Sequence, residues 1–293
     1  MNRLAIPSLL LAMLSPAVMA ADNVPDSGGI QDHGGSLTLA QGGSGDLGVF
    51  LGLKLWTNSW NIPWLTRVLT IPNPANPSSA VFQDTLSMYQ STTRTVLIPV
   101  VGLRQGDVVL SASYFPKTGY EAASNSGVST HRTEFDITAG YYVVPPILLS
   151  VAYKGARTDA LSSEGGNEHI QALLFGETGS FPVAGHWSVY ENFAYGVARD
   201  TSDHSDAAGN TSWSARYQIG EIGVSYAWPR AGAGHFPASV VASAGYRFQS
   251  YTVQNIALGA FSPASPTANP LSISNVDARI NTEGVILSVV AVF

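Results

Sequence analysis

The chain has 293 residues, no cysteine, and 20 acidic against 14 basic side chains. The missing cysteine excludes disulfides, thiolate chemistry and a lipid-modified N-terminal cysteine, and the mild acidity excludes the basic patch that a nucleic-acid surface needs. Charged residues make up only 12% of the chain, roughly half the share of an ordinary soluble domain.

Residues 1–20, MNRLAIPSLLLAMLSPAVMA, carry one charge, Arg3, then an apolar run at 4–13 and small residues at Val18 and Ala20. This is the pattern of a secretory signal peptide cleaved after Ala20. The apolar run falls short of the about 20 residues that a membrane-spanning helix needs. Residues 21–45 are rich in Gly, Ser and Asp and read as a flexible N-terminal lead. Residues 46–293 read as one domain.

That domain opens with DLGVFLGLKLW. Leu47, Val49, Leu51, Leu53 and Leu55 share one face, and Gly48, Phe50, Gly52 and Lys54 share the other, because alternate residues of a strand point to opposite sides. About ten such strands are expected, at 46–58, 91–104, 107–116, 131–144, 147–157, 167–176, 187–199, 211–228, 238–252 and 279–293. Many reach the length of about 9–11 residues that a tilted membrane strand needs, whereas ordinary strands average about 5–6. The gaps alternate between short turns, such as RQGD and VPPI, and long or polar segments at 59–90, 117–130, 158–166, 200–210 and 253–278. Membrane barrels pair short periplasmic turns with longer outer loops in this way. Two aromatic belts are expected. Trp56, Trp60, Tyr114, Phe115, Tyr246, Phe248 and Tyr251 fall near the outer surface, and Tyr141, Tyr142, Tyr226, Trp228 and Phe293 near the inner one.

The last strand carries Val285, Leu287, Val289, Ala291 and the terminal Phe293 on one face. With the leader and the strand rhythm, it resembles the C-terminal strand of Gram-negative outer-membrane β-barrels. The resemblance implies an all-β, antiparallel up-and-down transmembrane barrel of about ten strands, with 12 or 8 as alternatives. It also implies outer-membrane localisation, contact with membrane lipid and lipopolysaccharide, and recognition of Phe293 by the barrel-assembly machinery.

A Lys or Arg on the lipid face at mid-membrane costs about 2–4 kcal/mol. Lys54, Arg94, Arg132, Glu134, Asp136, Lys154, Glu191, Arg216 and Arg247 are therefore expected to face the lumen as a network of both signs. Eight strands give an interior just filled by side chains and about 16–18 leave a channel, so ten implies a narrow bore.

Sites for chemistry are sparse. His186 and Ser188 stand two apart with Glu191 nearby, and the pair resembles the His-x-Ser pattern of outer-membrane lipid hydrolases, but Glu191 has the opposite parity. Asp200, Asp203, His204 and Asp206 gather in an outer loop whose spacing fits no calcium-binding hand. Asp203-His204 is similar to half of the rim site of ten-stranded outer-membrane proteases, with no Asp pair to complete it. The expectation is a narrow, porin-like transport barrel for an unidentified small solute, with no catalytic residue, metal or cofactor and no nucleic-acid partner. A surface structural or adhesin-type barrel and an integral hydrolase are the alternatives.

Overall fold

The computed structural model describes residues 31–33, 36–38, 47–71, 76, 79–124, 127–159, 166–228, 239–263 and 270–293. The leader at 1–20 and the turn at 229–238 lie outside the described residues. Within the segment read as a lead, β1 (Gln31–His33) and β2 (Ser36–Thr38) pair as a small antiparallel hairpin.

The barrel proper is built from β3 (Leu47–Thr70), β4 (Val81–Gln90), β5 (Arg94–Gln105), β6 (Val108–Glu121), β7 (Ser129–Val144), β8 (Ile147–Asp159), β9 (Asn167–Ala184), β10 (Trp187–Ser202), β11 (Ser212–Trp228), β12 (Ser239–Phe261) and β13 (Ser272–Val292). β4 and β5 are successive halves of one strand: Asn61 faces Gln90 on β4, and Asn58 faces Arg94 on β5. The break between them is held by Ser91. Its N–H donates to the Trp60 carbonyl, and its hydroxyl oxygen accepts from the Trp60 N–H at 2.8 Å. The eleven segments therefore make ten antiparallel strands, closed by pairing of β13 with β3.

The alternation read in the sequence sets the two faces. Leu51 and Leu53 on β3, Ile137 on β7, Val197 on β10, Ile222 on β11 and Leu287 on β13 all face outward and are exposed. The outward apolar band ends at Leu55 on β3, Tyr114 on β6, Phe135 on β7, Tyr153 on β8, Leu173 on β9 and Val197 on β10. One or two outward positions further on come Lys117, Arg157 and Arg199, all exposed. That transition is where a bilayer's hydrocarbon gives way to headgroups, and it defines the outer edge of the membrane.

Three expectations are corrected here. Residues 59–70 and 81–90 are strand rather than loop, as is most of 253–278, so two hairpins rise beyond the apolar band. Pro63 reads as a loop signal, yet it sits opposite Met88 in the β3–β4 ladder. Trp56, Trp60, Phe115, Tyr142 and Tyr251 are buried inside the bore rather than in membrane belts. An aromatic ring is stable at a lipid interface or in a packed core, and only strand parity decides between them. Tyr114, Tyr141, Tyr246, Phe248 and Trp228 do face outward.

At its lower end the bore is filled by Phe50, Val109, Tyr142, Leu148, Val290 and Val292. Phe50 reaches across because Gly102 leaves it room: a Cβ there would lie 2.0 Å from the ring.

Candidate functional site

The even residues of β7 and β8 point inward, and this brings four predicted residues together. Asp136 faces Lys154 directly across the β7–β8 ladder. Lys154 Nζ lies 2.9 Å from Asp136 and 2.5 Å from Glu134, whose other oxygen accepts from Arg132 Nε. Across the bore, Arg247 Nη1 donates to Glu221 at 3.2 Å. The Tyr190 hydroxyl donates to the other Glu221 oxygen at 3.1 Å. Tyr190 fits because Gly223 and Gly245 lack side chains: added Cβ atoms would stand 2.7 and 2.5 Å from its hydroxyl.

Each cation also rests on an aromatic face. Arg132 lies 5.1 Å from the Trp60 ring centre, Lys154 5.6 Å from Tyr217, and Arg247 5.3 Å from Trp56. Desolvated cation–π contacts of this kind contribute about 2 kcal/mol. Three cations and three carboxylates thus form one neutral layer across the bore, in which Lys154 is fully buried and Arg132, Glu134 and Glu221 nearly so.

Two cavities flank this layer. The inner one, about 70 Å³, is lined by small polar side chains such as Ser111, Ser113, Thr138 and Ser150, and by Lys54, Asp136 and Arg247. The outer one, about 140 Å³, lies between the β3–β4 hairpin and the upper ends of β9 to β12.

The remaining predicted lumen residues separate. Lys54 faces the bore and is buried. Arg94 shares that inward parity, but its side chain is 42% exposed at the rim, 3.6 Å from Glu121, and lies apart from the layer. Glu191 and Arg216 face outward, which corrects their assignment. The cost of a lipid-facing charge applies at mid-membrane, and both residues sit near its edges: Glu191 a few residues from the inner turn, Arg216 opposite Val197 where the apolar band ends. Phe293 joins the closing seam by backbone bonds in both directions with Val49, at 2.8 and 3.2 Å.

The outer mouth holds groups that sequence reasoning left unassigned. Arg67 and Asp84 form an ion pair at 2.7 Å, and Asp84 also accepts from the Gly259 N–H at 3.1 Å. Arg67 covers the Phe261 ring at 3.9 Å, so the β3–β4 hairpin is clamped to β12. Asp206 is engaged by hydrogen-bond donors. It accepts from the N–H groups of Ala208, Asn210 and Ala257, the Asn210 amide and the Trp213 indole. Partial burial pushes its carboxyl up, but these donors outweigh that and hold it below the ordinary value. Asp203 accepts from the Asn167 amide at 2.6 Å. Among the described residues no group of three or more His, Asp or Glu is placed to hold a metal ion.

Asp200 and Glu168 behave differently. Both face inward beyond the apolar band, Asp200 on β10 and Glu168 on β9. Ser202 faces Glu168 and Ile170 faces Asp200, so the two acids are diagonal neighbours. Burial, then the Glu168 charge, raise the Asp200 carboxyl. Burial also raises Glu168, opposed in part by the Tyr251 hydroxyl, which donates to it at 3.1 Å, and by Arg132. Asp200 lies one residue beyond the strand expected at 187–199 and Glu168 within the one expected at 167–176; extending the inward parity along both strands finds them.

The His186, Ser188 and Glu191 set is not assembled. His186 packs edge-on against Tyr226 in the inner turn, Ser188 is buried toward the bore, and Glu191 faces out.

No family model matches the chain, and no curated protein matches it. Solved outer-membrane barrels of Gram-negative bacteria are among its structural neighbours. The outer membrane protease OmpT of Escherichia coli is 13% identical with a TM-score of 0.40, over 87% of this chain and 99% of that one. The outer membrane protein OmpT of Vibrio cholerae is 10% identical with a TM-score of 0.29, over 86% and 100%. The toluene transporter TodX of Pseudomonas putida is 8% identical with a TM-score of 0.29, over 86% and 89%. These likenesses are distant, and a protease stands among them beside a transporter.

Proposed function

We propose that the protein is a narrow transport-type barrel of the outer membrane, closed at rest and without catalytic activity. The observation that carries this reading is the pair of separate cavities on either side of a neutral, interlocked charge layer. A barrel with a purely structural bore has no need of a chamber on each side of its midpoint. Opening requires parting of side chains within the layer, because the backbone ladders around it are continuous. The exposed cations Lys117, Arg157, Arg199, Arg216 and Arg279, where the apolar band ends, support contact with the phosphates of lipopolysaccharide. The seam bonds of Phe293 support its role as the segment that the assembly machinery receives.

Planar-bilayer recording tests the reading. The wild type is expected to give small or rare openings, and Asp136→Ala with Lys154→Ala to raise single-channel conductance. Large, steady wild-type conductance would overturn the closed resting state. Silence from both proteins, with the barrel intact by heat-modified gel migration, would favour a surface structural role through the two outer hairpins.

A further inference from the structure

In the charge layer every carboxylate meets a cation; in the chamber above it one carboxylate does not. Asp200 is 1% exposed, and its carboxylate oxygens meet no side-chain donor among the described residues; only the Thr201 backbone N–H, outside good hydrogen-bonding geometry, eases its charge. A buried carboxylate without a donor is costly, and such a group is retained where something else completes it. The other charged groups around the chamber are engaged. Asp84 is bonded to Arg67 and Gly259, Asp206 has its five donors, and Arg132, below, bonds Glu134 through Nε while its charge also reaches Glu168. His204 lies at the rim. Glu168 has one donor, the Tyr251 hydroxyl, and stands beside Asp200 on the same wall.

Most of the remaining wall is apolar, with Leu65, Leu86, Trp213, Val253 and Ile256, interrupted by the hydroxyls of Thr66, Ser202 and Ser205. The chamber holds about 140 Å³, close to the roughly 150 Å³ that accommodates a benzene ring in an engineered protein cavity. Two carboxylates at one end and apolar walls around them do not supply the six to eight oxygens, roughly, that calcium takes. They suit a cation that brings its own hydrogen atoms and an apolar body.

We propose that the outer chamber binds a small organic cation, a primary ammonium on an apolar body of about one ring, donating hydrogen bonds to Asp200 and Glu168. The ammonium supplies the donors that Asp200 lacks, and the body covers Leu86 and Ile256. Without it, the two neighbouring acids retain a proton; arrival of the cation releases that proton, so binding weakens as the pH falls. As the name of a transported solute class, the proposal rests on the transport reading; as a binding site, it stands without it.

Isothermal titration of the full-length barrel, folded in detergent, with benzylamine and its neutral analogue benzyl alcohol tests the site. Benzylamine is expected to bind at pH 7.5, and benzyl alcohol at least about tenfold more weakly, in keeping with a charge-assisted hydrogen bond. Asp200→Asn should weaken benzylamine by at least about tenfold, whereas Asp203→Asn, in the same mouth, should leave it unchanged. Glu168→Gln gives a second reading should Asp200→Asn fail to fold. Equal binding of the two probes, full affinity in both variants, or no binding by the wild type would overturn the proposal. Benzylamine uptake into proteoliposomes carrying the Asp136→Ala, Lys154→Ala protein, above that of protein-free liposomes, separates the two readings. Binding without uptake overturns transport and keeps the site; conductance without binding keeps transport and overturns the site.

Discussion

The charge layer and the chamber above it are built from the same kinds of residue in opposite balance. In the layer, each carboxylate is matched by a cation and each cation by an aromatic face. In the chamber, Asp200 has no cation and no side-chain donor, and Glu168 has one donor, Tyr251, with the charge of Arg132 to ease it. Every carboxylate of the layer is matched, although Arg132 Nη1 and Arg247 Nε lack acceptors, so loss of a cation should harm it. The chamber is incomplete, so neutralising its unmatched acid should relieve it. Matched carboxylates mark the part of the bore that closes the protein, and an unmatched one marks the part open to something else.

The largest effect is expected in the layer. Lys154→Met leaves Glu134 and Asp136 without their shared cation, and breaking a buried pair costs about 3–5 kcal/mol. Thermal unfolding in detergent should show a clear fall, and adding Glu134→Gln to Lys154→Met should recover part of it. An unchanged midpoint would mean that water reaches the layer and screens it.

The chamber should respond with the opposite sign. A carboxyl whose folded value is raised contributes stability below its ordinary value of about 4, and that contribution is lost as the pH rises through the raised value. Burial and the Glu168 charge raise Asp200. Wild-type stability should therefore decline from about pH 4 upward, and Asp200→Asn should flatten the decline. At pH 8 the variant should be the more stable by about 1–3 kcal/mol, and at pH 4 the two should match. A variant less stable at both values would show that Asp200 is matched after all.

The smallest effect concerns the clamp over the mouth. Asp84→Ala removes the ion pair with Arg67 and the bond to Gly259, yet both lie beyond the apolar band. Global stability should change by about 1 kcal/mol or less, as for a partly exposed pair. Proteolytic nicking within the β3–β4 hairpin should rise, which a purely global loss of stability would not produce on its own.

Strand alternation made the lower barrel legible. The Leu47 to Leu55 face, the inward turn of Arg132, Glu134, Asp136 and Lys154, and the even strand count all follow from period two and the cost of a lipid-facing charge. The upper barrel was not legible by those rules, because beyond the lipid neither face must be apolar. Pro63 and the polar runs at 81–90 and 272–281 then resemble loop, although they pair as strand. Glu191 and Arg216 were placed inward by a rule that weakens at the membrane edge. Trp56 and Trp60 were placed outward because aromatic side chains suit both environments.

The bond between Val49 and Phe293 has a consequence for how the molecule comes into being. Most ladders in the barrel join strands adjacent in sequence and can form as hairpins, but the β3–β13 ladder joins segments separated by nearly the whole domain. Closing so long a loop carries a large entropic cost and delays the step. Until it happens, β3 and β13 each present an unpaired edge, the form of sheet most prone to join a neighbouring molecule. The time between making the last strand and sealing it to the first is therefore the period of greatest danger for this protein. A cell that shortens that interval, by holding the two edges apart from others and bringing them to each other, protects the chain more than one that strengthens any contact in the finished barrel.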